Sequence, residues 1–400
     1  MALNLKVGPI GAFDMLKFKN SAKTREKHIQ RAPAAPLPKD YALNRLAREL
    51  HPEKQEMRVM QVIELSPGVK QYTLKTADAS AAAPFRAGEY VSVAVEIGGT
   101  KTTRPYSLCS APGDAKNGVY AIAVKRLDGG FVSDYILDNW TVGTAVTISG
   151  PQGNFCYEPL RDGKRVVGLA GGSGITPFLS MACAIRDGLE DFDLTVLFGS
   201  RTEADILFEK EFSQIAASCG RVRLVNVLSD ETKPGFEHGF LTAELIGRYL
   251  TDDASIFVCG PRVMYEFLQG ELKKLPRPAK SVRFELLGVT KEPWKLAGYP
   301  DACRGKTFTV TVLTCGKKLQ IPASATETVL TAIERAGIAA PSRCRSGECG
   351  YCHSRLVSGD VFIPEDTDGR RAADKVFGYI HPCASFPVSD LVIELPGTYL

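Results

Sequence analysis

The sequence predicts a multi-domain protein: an antiparallel β-barrel, an α/β unit on a parallel sheet, and a small α+β unit. Three observations carry this expectation. At 400 residues the chain is too long for one typical domain. Short alternating strands over Glu56–Glu158 give way after Arg161 to apolar strands separated by helical stretches. A Pro/Gly-containing stretch then precedes another hairpin and helix. The expected divisions are a basic extension at 1–50, the barrel at 51–160, the α/β unit at 161–290, a linker at 291–305 and the last unit at 306–400.

Composition excludes several classes. With 44% hydrophobic and 24% charged residues the chain is neither disordered nor collagenous. A net charge of +4 is too mild to argue for nucleic acid. The 11 cysteines are too sparse for a disulfide scaffold, and an odd number cannot all pair internally. No secretory signal is visible at the N-terminus. The 20 residues Val166–Ile185 carry no charge, yet Gly168, Gly171, Gly172, Gly174 and Pro177 predict a strand, a glycine turn and a helix there instead of a membrane span. A cytoplasmic location is expected, where clustered cysteines more often bind metal than pair.

Residues 1–50 hold ten Lys/Arg against four Asp/Glu, so +6 of the charge lies there and the rest of the chain is −2. The run Arg31-Ala-Pro-Ala-Ala-Pro-Leu-Pro reads as an extended Pro-rich linker. The extension is either a solvated tail or a docking arm for an acidic partner.

In the barrel segment, Met57–Ile63, Tyr90–Val95 and Val119–Lys125 alternate apolar and polar residues, with a further short strand at Ala145–Ile148. In the α/β segment, Arg165–Ala170, Leu194–Phe198, Val222–Leu228 and Ser255–Cys259 are the expected strands, with Pro177 at the start of a helix. Beyond the linker, Lys306–Leu313 and Lys318–Ile321 form a hairpin around Cys315-Gly316-Lys317, and Thr326–Ala336 is an amphipathic helix stopped by Gly337.

Four cysteines stand out by spacing. Cys344, Cys349, Cys352 and Cys383 read C-x4-C-x2-C with a distant fourth thiolate, the plant-type spacing for a 2Fe–2S cluster. Gly347 and Gly350 let the backbone bend around inorganic sulfide. A structural zinc site is the alternative, but zinc sites usually carry paired short knuckles and only one is present. Arg343, Arg345 and Arg355 flank the cluster in sequence, either tuning its potential or as solvated loop charges. The segment 306–400 has ten basic and ten acidic residues, which suits a tethered carrier more than a free shuttle.

Two further constellations concern nucleotides and rings. Ala170-Gly-Gly-Ser-Gly-Ile-Thr-Pro177 lies between an apolar strand and a helix, where Gly171, Gly172 and Gly174 would let a pyrophosphate approach the backbone. Cys259-Gly260-Pro261 bends the chain at the carboxyl end of another strand, the edge where open α/β sheets bind ligands. Ser200 and Arg201 end a third strand; Arg201 could accommodate a 2′-phosphate or stack on adenine, leaving NADH against NADPH open. In the barrel, Arg104, Pro105, Tyr106 and Ser107 offer a phosphate ligand, a stacking ring and a hydroxyl. Lys125 and the run Gly129–Ser133, including Gly130, Val132 and Ser133, could complete a pyrophosphate cradle at a helix start.

Together these residues resemble the ferredoxin–NADP reductase superfamily. The motifs are R-x-Y-S at Arg104–Ser107, G-G-x-x-S at Gly129–Ser133, G-G-x-G-x-T-P at Gly171–Pro177 and C-G-P at Cys259–Pro261. Residues 306–400 resemble a plant-type ferredoxin, which implies a β-grasp fold, and the order of units resembles three-domain reductases of oxygenases and of hybrid-cluster proteins. The resemblance implies that Arg104, Tyr106, Ser107 and Ser133 hold a flavin, and that Thr176 and Cys259 lie by the flavin and the nicotinamide. It implies FAD more than FMN, because Gly150-Pro-Gln-Gly-Asn-Phe155 resembles G-P-x-G-x-F. Ser107, Thr176 and Cys259 are the residues expected beside the reacting atoms.

The chemistry this set suggests is a relay. NAD(P)H gives two electrons as hydride, an iron–sulfur cluster accepts one at a time, and a flavin can convert between them. The expected function is an NAD(P)H-dependent reductase feeding a separate electron-accepting protein. Two alternatives stand beside it: a fixed subunit of a larger redox complex with residues 1–50 as its assembly element, which could also run in reverse and reduce NAD(P)+, and a flavin oxidase or quinone reductase whose cluster is structural.

Overall fold

The computed structural model describes residues 21, 23–31, 41–127, 129–285 and 288–396. The chain divides into a unit at 1–47 and a larger one at 48–400. In the first, residues 21 and 23–31 are helical and exposed. Helix α1 (Ala42–Leu50) runs across the division and has no buried residue. The Pro-rich run expected from Ala32 lies outside the described residues.

The first sheet of the larger unit holds β1 (Gln55–Ser66), β2 (Val69–Thr76), β3 (Tyr90–Ile97), β4 (Thr100–Ser107), β5 (Val119–Lys125) and β6 (Ala145–Ile148). Their order is β4-β3-β6-β1-β2-β5 and every pairing is antiparallel. A bridge between Leu108, just past β4, and Ile122 in β5 closes the ends, which makes the expected barrel. Alternate residues point inward as the sequence pattern predicts: Met57, Val59, Tyr72, Leu74, Val91, Val93, Tyr120, Ile122 and Val124 are buried. Helix α2 (Phe131–Asn139) caps the barrel, and Trp140 at its end meets Tyr72 edge-on at 5.5 Å.

The second sheet is wholly parallel, in the order β10-β9-β8-β7-β11-β12. These strands are β7 (Arg165–Gly171), β8 (Asp193–Ser200), β9 (Val222–Leu228), β10 (Glu237–His238), β11 (Ala254–Cys259) and β12 (Val282–Phe284). The uncharged stretch from Val166 divides into β7, a 3-10 turn at Gly172–Ile175 and helix α3 (Thr176–Arg186). Among the described residues no helix is long and apolar enough to cross a membrane. The chain steps from β7 outward to β8 and β9, then returns to place β11 on the other side of β7. The carboxyl ends of β7 and β11 therefore flank the point where the topology reverses, the crevice that binds ligands in such sheets.

The third sheet, β14-β13-β19-β15-β17, is mixed. Its strands are β13 (Thr307–Thr314), β14 (Lys317–Ser324), β15 (Ser354–Ser358), β17 (Tyr379–Ile380) and β19 (Leu391–Glu394), and a small pair, β16 (Val361–Phe362) and β18 (Phe386–Pro387), lies beside it. The hairpin turn is Cys315-Gly316 alone, both at positive φ (48° and 73°), with Lys317 already in β14. A helix, Val329–Arg335, packs Val329, Ala332 and Ile333 onto this sheet, while Leu330 packs against Cys352, Cys383 and Ala384. It is shorter than the sequence pattern suggested, because Ser324 N–H donates to the Glu327 carboxylate (2.8 Å) in a turn and the Thr328 hydroxyl caps the helix from Thr331 N–H. The sheet with one helix across it is the β-grasp arrangement. The preceding Pro/Gly stretch is no slack spacer: Pro293 and Tyr299 are buried, and the Tyr299 hydroxyl donates to the Ala325 carbonyl at 3.2 Å.

Candidate functional site

The barrel, the parallel-sheet unit and the cysteine-bearing unit all line one cavity of about 1330 Å³. From the barrel come Arg104, Pro105, Tyr106 and Ser107 at the end of β4, Lys125 at the end of β5, and Gly130, Val132 and Ser133 at the start of α2. From the parallel sheet come Gly171, Gly172, Gly174 and Thr176 after β7, Ser200 and Arg201 after β8, and Cys259, Gly260 and Pro261 after β11. Cys344 and Cys383 line the same space. Every candidate flavin and nucleotide ligand from the sequence is on this wall. Cys349 and Cys352 are not: Cys349 is exposed and Cys352 buried behind.

The glycine turn is shaped by close approach. A Cβ on Gly174 would lie 2.1 Å from the Cys259 carbonyl oxygen, so only glycine lets the turn after β7 touch the end of β11. Lys125 bridges the two sheets at that point, with its Nζ 3.3 Å from where a Gly172 Cβ would stand. The walls thus combine an ammonium, a guanidinium and the amino end of α2, groups that suit a pyrophosphate, with Tyr106, a ring that suits stacking on a planar heterocycle.

Burial dominates the electrostatics. It lowers the Arg104 guanidinium to about 10, with the neighbouring Arg345 adding to the effect. It raises the Tyr106 phenol above its ordinary value and holds the Cys259 thiol well above the thiol range. Cys259 therefore stands in the cavity as a neutral thiol. Among the described residues no histidine lines the cavity.

The four cysteines converge as their spacing predicts. The sulfurs of Cys352 and Cys383 are 3.4 Å apart. Cys344 Sγ accepts from Ser346 N–H and Cys349 N–H, both at 3.4 Å, and Cys383 Sγ accepts from Gly347 N–H at 3.3 Å. Neighbouring sulfurs draw Cys344 far below the thiol range and push Cys349 and Cys383 above it. Thiols this close cannot all ionise unless a positive centre offsets them, which is what a cluster supplies. Among the described residues no three donors gather as around one metal ion. Cys344 interacts with Cys349 and Cys383, and Cys383 with Cys352, so the four sulfurs form one linked set, and their spacing is that of a two-iron centre.

Sequence reasoning missed several residues on this wall. Glu285 follows β12 and faces Cys259 electrostatically; a polar residue closing a strand's carboxyl end was the available signal. Phe240 and Phe267, rings 5.9 Å apart, flank the outer mouth and had no sequence signal. Arg201 is ion-paired to Asp230 (Nε to Oδ2, 2.9 Å), a carboxylate from the loop after the neighbouring strand β9.

Comparison with known proteins agrees with this geometry. Residues 56–157 match the model of an oxidoreductase FAD-binding domain, 169–270 an oxidoreductase NAD-binding domain and 312–388 a 2Fe–2S iron–sulfur cluster binding domain. The glycine betaine monooxygenase reductase subunit of Chromohalobacter salexigens is 30% identical over 327 residues, 78% of this chain and 87% of that one. The chain belongs to the ferredoxin–NADP reductase superfamily, among the three-domain reductase components. The ferredoxin reductase component of the 3-ketosteroid-9-alpha-monooxygenase of Mycobacterium tuberculosis is 29% identical over 312 residues, 77% of this chain and 84% of that one. The structure of phthalate dioxygenase reductase, described as modular for electron transfer from pyridine nucleotides to 2Fe–2S, aligns with a TM-score of 0.61 and 26% identity over 86% of this chain and 97% of that one. This reductase passes electrons from NAD(P)H through FAD and a 2Fe–2S centre to a separate redox partner.

Proposed function

We propose that this chain is the NADH-oxidising component of an oxygenase system, handing single electrons to a separate oxygenase. The observation that carries the reading is the shared cavity, in which flavin-type, nucleotide-type and cluster-type residues face one space. In it Arg104, Lys125 and the start of α2 at Gly130–Ser133 hold the FAD pyrophosphate, and Pro105, Tyr106 and Ser107 hold its ring. Gly171, Gly172, Gly174 and Thr176 admit the dinucleotide between the sheets, Cys259-Gly260-Pro261 shapes the nicotinamide end, and Ser200 and Arg201 take the adenosine end. Cys344, Cys349, Cys352 and Cys383 hold the cluster. Bound FAD supplies the change from a two-electron to a one-electron carrier.

The protein's own part is placement. Gly174 keeps the nucleotide turn against Cys259, and the neutral Cys259 thiol adds no charge where hydride must pass. The exposed Cys349 edge, with Tyr351 beside it, faces the acceptor. NADH is favoured over NADPH because Asp230 already balances Arg201 and would repel a 2′-phosphate. The domain divisions at 51–160, 161–290 and 306–400 are assigned one cofactor each, and a reducing cytoplasm suits the free thiols.

The loaded protein should reduce cytochrome c with NADH. Cys349→Ser should abolish the cluster's paramagnetic signal and lower that rate at least tenfold, while NADH still bleaches the flavin. Full cytochrome c reduction without the cluster would overturn the relay order.

A second reading concerns residues 1–50 as a docking arm. Leu43, Leu46 and Leu50 are exposed on one side of α1, at spacings that share a helix face. Removing residues 1–45 should weaken partner binding; unchanged affinity and turnover would dismiss the arm.

A further inference from the structure

The cluster loop and the flavin strand are joined by a buried polar network that neither site requires for ligation. Glu334, on the helix Val329–Arg335, is 4% exposed and forms a two-pronged pair with Arg345 (2.7 and 3.0 Å). Its second oxygen also accepts from the Thr102 hydroxyl of β4 at 3.1 Å. That same hydroxyl accepts from Arg104 (2.8 Å) and from Arg345 (3.3 Å). One hydroxyl has one proton to donate and two lone pairs, and all three are used. Beside it the Thr103 and Ser342 hydroxyls lie 2.8 Å apart. Arg345 directly follows the ligand Cys344 and sits at a φ of 55°, a left-handed conformation that a non-glycine residue adopts only when its surroundings hold it.

We propose that Glu334 is a positioning residue that clamps the cluster loop to the flavin strand and so sets the path of the internal one-electron step. This rests on the relay reading above. Buried ion pairs contribute little net stability and are strongly disrupted when one partner is lost. Their use here is geometric. Glu334 compensates Arg345, Arg345 fixes the turn at Cys344, and Thr102 ties both to the strand that carries Arg104.

Glu334→Gln keeps the side chain's shape and removes its charge. Arg345 then remains beside the cluster without its counter-charge, which raises the cluster's midpoint potential and its driving force for accepting an electron. The loosened loop has the opposite effect on rate. In stopped flow with NADH, flavin bleaching should keep its wild-type rate constant while cluster reduction slows at least tenfold. An equilibrium redox titration followed by paramagnetic resonance should show the higher potential. A slower step despite a larger driving force requires altered geometry. Thr102→Val, of nearly equal volume, should slow cluster reduction in the same direction with less change in potential.

The proposal is overturned if cluster reduction in Glu334→Gln stays within twofold of wild type, or if it slows in step with a lowered potential, since a smaller driving force alone would do that. Should Glu334→Gln fail to fold, Thr102→Val decides, and a wild-type rate there overturns the clamp. A wild-type protein whose cluster is never reduced by NADH would instead defeat the relay reading, so the two failures are distinguishable.

Discussion

Arg104 and Arg345 converge on a single oxygen: the Thr102 hydroxyl lies 2.8 Å from Nη1 of the first and 3.3 Å from Nη1 of the second. Glu334 pairs with Arg345 beside these two like charges, and Arg104 also donates to the Thr103 carbonyl at 2.7 Å. Arg104 is thus held through Nη1 while the residue lines the cavity. Lysine has no planar fork with which to do both. Arg104→Lys should therefore weaken FAD binding by about 1.5–3 kcal/mol, roughly ten- to a hundredfold, measured as FAD released on dilution. Wild-type retention would remove Arg104 from the phosphate site.

Nucleotide choice should follow Asp230. The protein is expected to use NADH at least tenfold better than NADPH by kcat/KM. Asp230→Ala removes the carboxylate and leaves Arg201 available to a 2′-phosphate, so NADPH efficiency should rise several-fold with little change for NADH. An NADPH-preferring wild-type protein, or no response to the substitution, would contradict this assignment.

The junction of barrel and parallel sheet depends on Asp162 and Arg283. Their side chains are 2% and 10% exposed and ion-paired, and Arg283 also donates to the Asn154 and Cys156 carbonyls and lies over the Phe257 ring at 4.8 Å. Asp162→Ala leaves a buried guanidinium without its carboxylate, at a cost of about 3 kcal/mol. The melting transition should fall by roughly 6 °C or more. A shift within 1 °C would show that water reaches the pair.

Alkaline pH should destabilise the fold through its buried thiols. Burial raises Cys109, Cys183 and Cys156, Cys183 to about 11 and Cys156 to about 12. A group whose pKa is higher in the folded state keeps its proton after the unfolded chain has lost it. Its stabilisation is complete below the unfolded thiol value, about 8.5, and is lost as pH rises through the folded values. Denaturant midpoints should decline between pH 8.5 and 11, and less steeply in Cys156→Ala. Equal slopes in both proteins would exclude Cys156 as a source.

Most of the fold was legible because its signals are local. Met57–Ile63 alternates with period two, and Gly171–Pro177 announces a strand-to-helix turn whatever surrounds it. The cluster was legible for the same reason, since Cys344, Cys349 and Cys352 fall within one loop. What could not be read is what long-range packing decides. Asp230 and Arg201 meet only because β8 and β9 are neighbours in the sheet, and Thr102 and Glu334 meet only because one module docks on another. The helix start at Val329 also escaped the periodicity, because the hydrogen bond that the Glu327 carboxylate accepts from Ser324 N–H competes with the first helical turn.

Strand β4 ends the strand order and pairs along its length with β3, while its other side meets β5 through the Leu108–Ile122 bridge just past its end. The last module, through Ser342, Arg345 and Glu334, grips the Thr102 and Thr103 side chains of this strand. The electron carrier is therefore also a brace for the barrel. A barrel and α/β fragment cut off before the third module would keep its cofactor residues yet lose this grip on β4, so the barrel alone gives a reason to keep the three modules on one chain.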